Sequence, residues 1–188
     1  MRLHALQGGL HFGMVSGAFL LAFGVCETLH QLSHFETAIE PHPHAVFLPH
    51  GVIVLVAWMY GWAAFPLLLP AVLLAFWLLA GSVVFDPLIM TIIALKLAAV
   101  PLAFDLFRLG GLDVRGVGTA ANWKALVAVG LLGSMLGNMP RVMAGPCCVS
   151  MDAGERLMVY ANAVAGDMAG LIVVLLVVMM VFRVLRHD

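Results

Sequence analysis

Charge is what this sequence has least of. Nine Lys and Arg and ten Asp and Glu make up 10% of 188 residues, where a soluble domain carries about a quarter. With a net charge of −1 and no basic patch to neutralise phosphates, nucleic acid is excluded as a partner. Short alternating apolar and polar segments are also missing, which excludes a membrane β-barrel. There is no Gly-x-Ser-x-Gly elbow and no phosphate-binding Walker loop, and Ser16, Ser33, Ser82, Ser134 and Ser150 have no evident base partner. The expectation is therefore a protein that is not an enzyme.

What is present is apolar. Hydrophobic residues are 63% of the chain, and they recur in runs near the roughly 20 residues that cross a bilayer as a helix. The spans read as about 10–25, 45–65, 66–84, 88–107, 125–139 and 157–182. The fold expected is all-α: a polytopic helical bundle of about six transmembrane helices, with residues 1–188 forming a single transmembrane domain. Arg2 and the run after it lack a small-x-small cleavage site before Cys26, so the first run reads as an uncleaved span.

Punctuation between the runs is clear. Pro41-His42-Pro43-His44 breaks any helix. Spans two and three follow almost without a loop, as a tight hairpin with Trp58, Tyr60 and Trp62 as interface aromatics. Phe85-Asp86-Pro87 makes the next turn, and Asn138 and Pro140 close span five. Six spans put both termini on one side, together with Arg2, Arg108, Arg115, Lys124, Arg183 and Arg186; the other side holds Glu36, Glu40, Asp86, Asp152, Arg141 and Arg156. The positive-inside rule then places both termini in the cytoplasm of a cell with a bacterial inner membrane.

The sharpest feature is Asp167, inside the last apolar run. An acidic group at that depth costs roughly 2.5–3.5 kcal/mol on insertion scales and normally has a partner. Lys96 lies about 12 Å past the start of span four and Asp167 about 15 Å past the start of span six, by the helical rise. The two are at one level. One reading makes them the buried polar centre of a ligand site, with His50 and Asn138 above them near the outer face; the other makes them a packing pair, or lets Lys96 snorkel outward. Gly166 and Gly170 flank Asp167, and Gly130, Gly133 and Gly137 share a face of span five, so close helix approach is expected under both.

The outer side also gathers His30, His34, His42, His44 and His50, with Glu27, Glu36 and Glu40, and the sulfurs of Met139, Met143, Cys147, Cys148 and Met151. Histidine and soft sulfur suit transition metals, copper(I) in particular. Interface histidines and structural sulfur are the alternative. Cys26 bridged to Cys147 or Cys148, or three unpaired thiols, are both compatible with an oxidising outer face.

Two segments carry a resemblance. Leu48-Pro49-His50-Gly51-Val52 leading to Tyr60-Gly61-Trp62, and Gly166-Asp167-x-x-Gly170 in the last span, resemble elements of the MASE1-type membrane sensor domains; the second is also loosely similar to substrate-binding subunits of energy-coupling-factor transporters. The resemblance covers about a third of the chain. It implies a helical module that binds a small ligand within the membrane, with Asp167 and the Pro49–Gly51 turn as matching positions. MASE1 domains usually have about eight spans and precede an output domain, whereas this chain stops at Asp188, so signalling would need a separate partner. The function expected is a sensor-like, non-catalytic module for a small molecule or a partner protein. A transporter or metal-handling protein and an accessory subunit of a larger membrane complex are the other readings. The bilayer is the one partner composition requires, a membrane-protein partner or a second copy remains open, and no cofactor is named by any motif.

Overall fold

The computed structural model describes residues 2–33, 46–115, 122–146 and 148–186, with side chains from residue 9 onward except 30, 32 and 33. Six α-helices account for nearly all of them: α1 (Arg2–Ser33), α2 (Leu48–Tyr60), α3 (Ala64–Ala80), α4 (Pro87–Leu109), α5 (Trp123–Ala144) and α6 (Ala153–Leu185). Short 3-10 helices at Gly61–Ala63 and Gly81–Phe85 follow α2 and α3, and no strand occurs among the described residues.

Five helical stretches are long and apolar enough to cross a membrane: Gly9–Leu29, Leu48–Phe85, Pro87–Leu109, Trp123–Ala144 and Ala153–Leu185. The second, of 38 residues, contains both α2 and α3. As one straight helix it would run about 57 Å, nearly twice a hydrocarbon core. It does not run straight, because Gly61 takes φ 61°, a left-handed conformation that glycine adopts without strain, and caps α2 by donating to the Ala57 carbonyl. Side-chain contacts follow the reversal. Cys26 faces Val46 and His11 faces Tyr60, so α2 runs against α1, while Ser16 faces Leu67 and Phe23 faces Phe76, so α3 runs with α1.

The remaining helices keep alternating. Lys96 meets Asn138 and Val100 meets Gly133 across α4 and α5; Met135 meets Tyr160 and Gly130 meets Leu171 across α5 and α6. Phe47 meets Gly170 and Gly51 meets Val174, so α6 runs with α2, and the start of α1 and the end of α6 lie at one end of the bundle. α5 sits between α4 and α6, α6 packs along α2, and α1 covers α2 and α3.

The polar residues between apolar runs are helix caps. Asp86 accepts from the N–H groups of Leu88 and Ile89 ahead of α4, with Pro87 at the first helical position. Asn122 does the same for α5, and Asp152 with Glu155 forms a reciprocal capping box on α6. One boundary differs from expectation. Pro140 does not close α5, which continues to Ala144; a proline removes a single donor near a helix end, and packing of Val142 at 8% exposure holds the last turn in place.

Candidate functional site

Four helices each bring a polar side chain to one point. The carboxylate of Asp167 on α6 accepts, at Oδ2, from the Ser134 hydroxyl and from Asn138 Nδ2 of α5, both at 2.7 Å. Lys96 Nζ of α4 lies 3.5 Å from the same oxygen, and His50 Nδ1 of α2 lies 3.9 Å away. Asp167, Ser134, His50 and Asn138 are all buried to 1% exposure or less. Lys96 is different, keeping 22% of its side chain exposed.

Local sequence explains the convergence. Gly130, Ser134 and Asn138 are successive i, i+4 positions, so α5 presents a carbonyl, a hydroxyl and an amide up one face. Beside them, a Cβ on Gly133 would come 3.0 Å from Val100 Cγ2, and one on Gly137 would come 3.3 Å from Lys96 Cγ. The small face lets α4 come close enough for Lys96 Nζ to donate to Asn138 Oδ1 at 3.2 Å. On the far side of Asp167, a Cβ on Gly170 would collide with the Phe47 carbonyl, and Phe47 N–H donates to the Gly166 carbonyl at 2.9 Å. The ammonium of Lys96 also lies 4.8 Å from the Phe47 ring centroid, within cation–π range.

Hydrogen-bond roles follow from what each group can do. His50 Nε2 sits 3.1 Å from the Gly130 carbonyl, and a carbonyl only accepts, so the ring hydrogen is on Nε2. In the neutral ring Nδ1 then turns a lone pair towards Asp167; a second proton would turn the contact into a charged pair. Asn138 Nδ2 also donates to the Ser134 carbonyl at 2.9 Å and lies 3.1 Å from its hydroxyl. Ser134 is bonded to the carboxylate and not to His50, which differs from the Ser–His–Asp order of a nucleophilic relay. Removing one partner of such a buried ion pair costs about 3–5 kcal/mol, because a charge is left uncompensated.

No protein family, curated protein or solved structure matches the chain.

The structure thus brings Lys96, Asp167, His50 and Asn138 together. His50 and Asn138 are in the cluster with the pair and not in a separate layer above it. Ser134 completes the cluster, and sequence reading passed over it as a serine without a base. Its signal was the i, i+4 spacing to Asn138 on the glycine face of α5.

The other expected groups fare differently. His34, His42, His44, Glu36, Glu40 and Cys147, and the side chain of His30, lie outside the described residues. Among the described residues no group of three or more His, Cys, Asp or Glu is placed to hold a metal, and His50 is taken up by the polar cluster. Cys26 is buried, unbridged, and donates to the Val46 carbonyl at 3.0 Å.

A second polar group closes the opposite end of the bundle. Trp62 Nε1 donates to Asp105 Oδ2 at 2.6 Å, Arg115 Nη1 lies 3.5 Å from Asp105 Oδ1, and Trp58 Nε1 donates to the Val114 carbonyl at 3.1 Å. Of the expected interface aromatics, Trp58 thus pins the segment after α4 onto α2, and Trp62 ties the end of α4 itself to the turn after α2. Arg115 stacks 4.3 Å from the Phe104 centroid, and its buried Nε has no hydrogen-bond partner. Burial pulls the Arg115 guanidinium below its usual range while Asp105 and Asp113 pull it back; it stays a cation.

Proposed function

We propose that this chain is a six-span module of a bacterial inner membrane, with both termini in the cytoplasm, that binds a small molecule or a partner protein within the membrane and catalyses no reaction. The crossing count rests on the reversal at Gly61, and the orientation on the basic residues at the end where α1 starts and α6 ends. The site is the cluster of His50, Lys96, Asn138 and Asp167, with Ser134.

One observation carries this reading. Four of the five cluster side chains are sealed, and the fifth, Lys96, remains 22% exposed while touching both Asp167 and Asn138. A packing bolt has no need of an exposed member, whereas a ligand group that replaces or joins the ammonium could shift the whole network through it. Ionisable groups at this depth mark sites by default. The likeness of Gly166-Asp167-x-x-Gly170 to MASE1-type sensor domains points the same way.

The test is purification in mild detergent, with mass spectrometry for small molecules and proteins, of the natural chain and Asp167→Asn in parallel. The expected result is a bound molecule or fixed partner on the natural chain that the folded fraction of the variant no longer carries. A natural chain that purifies with neither, or a variant that retains what the natural chain binds, overturns the proposal.

A further inference from the structure

The outer ends of α5 and α6 form a groove of about 540 Å³ that the polar cluster does not use. Its walls are Met139, Val142, Met143 and Leu157, with Tyr160 and Arg156 supplying its polar edge. Met143 and Leu157 are 65% and 66% exposed. A volume in the range of small-molecule sites, apolar walls and a few fixed polar groups are the marks of a binding groove.

Arg156 decides what fits it. The guanidinium is held in place, since Nε donates to the Met151 carbonyl and Nη2 to the Val149 carbonyl, both at 3.0 Å. Nη1 makes no bond among the described residues. Among the described residues neither neighbouring carboxylate, Asp152 or Glu155, forms an ion pair with it; each accepts the other's backbone N–H in the helix cap. Position matters as well. α6 has 33 residues, about 50 Å against a hydrocarbon core of about 30 Å, and its apolar run starts at Leu157, directly after Arg156. A fixed cation therefore stands at headgroup level with an apolar channel leading inward from it.

The geometry points to a bound phospholipid, its anionic phosphate on Arg156 Nη1 and one acyl chain between the α5 methionines and Leu157. Tyr160, whose hydroxyl donates to the Met135 carbonyl at 3.0 Å, is held in its place in the lining.

Native mass spectrometry in mild detergent tests this with phosphatidylglycerol and diacylglycerol of identical acyl chains, which differ in having or lacking the phosphate. One phosphatidylglycerol should be retained per chain with roughly tenfold preference, the value of one charge-assisted hydrogen bond. Arg156→Gln should bring the ratio close to one. Met143→Trp, at an exposed wall position that tolerates bulk, should abolish retention of both lipids. No preference in the natural chain, or a preference that survives Arg156→Gln, overturns the proposal; displacement by an equal concentration of oleate overturns the assignment to a phospholipid. None of the cluster residues lines this groove, so the outcome is independent of the function proposed for Asp167.

Discussion

Asp167 and Asp105 have the same chemistry and opposite circumstances. Each faces a cation at 3.5 Å and accepts a short hydrogen bond from a neutral donor, Ser134 in one case and Trp62 in the other. Asp167 is sealed among four helices at 1% exposure, whereas the Asp105 side chain is 37% exposed at the bundle end. The lesson is that distance alone does not measure a pair. A sealed charge has no water to fall back on, so every partner it loses is felt in full, while an exposed one exchanges a lost partner for solvent.

Substitutions can break that contrast, and the largest effect belongs to Asp167. Asp167→Ala leaves Lys96 without its counter-charge and Ser134 and Asn138 without their acceptor, and should cost about 3–5 kcal/mol in SDS-unfolding titrations. A loss below 1 kcal/mol would mean that water reaches the cluster. Next comes the packing that seals it. Gly133→Leu drives a side chain into the Val100 backbone, 3.2 Å from a Cβ at that position, and should cost about 1–3 kcal/mol; Gly13→Leu on α1, where a Cβ would meet open space, should stay within about 0.5 kcal/mol by the same assay.

Ser134→Ala removes one donor from a carboxylate that keeps Asn138 and Lys96, so about 1–2 kcal/mol is expected. The smallest effect is at the exposed pair. Asp105→Asn should cost about 0.2–1 kcal/mol and should shrink further in 1 M salt, whereas the Asp167 substitutions should not respond to salt. Equal salt sensitivity at the two aspartates would collapse the distinction between them.

These two aspartates also show what could be read from sequence. The level of Asp167 and Lys96 was legible by counting residues from two helix starts, because both helices run in one direction and rise uniformly. The caps at Asp86 and Asp152 follow from local rules that need no tertiary information. The partners of Asp167 on α5 were harder, since a serine in an apolar helix ordinarily bonds back to its own backbone. His50, next to a proline at a helix start, looks like a terminal residue until α5 is seen to place the Gly130 carbonyl against its ring. Trp62 read as a membrane-interface aromatic, and only the return of α4 brings Asp105 to its indole. The bound on α5 at Pro140 failed because one missing donor near a helix end is outweighed by packing.

Phe47 touches Asp167's surroundings in three ways: its N–H holds the Gly166 carbonyl, its carbonyl lies against Gly170, and its ring faces the Lys96 ammonium. A displacement of Phe47 would be delivered, through one residue acting as a lever, to the helix turn that carries the carboxylate and to its counter-charge at once.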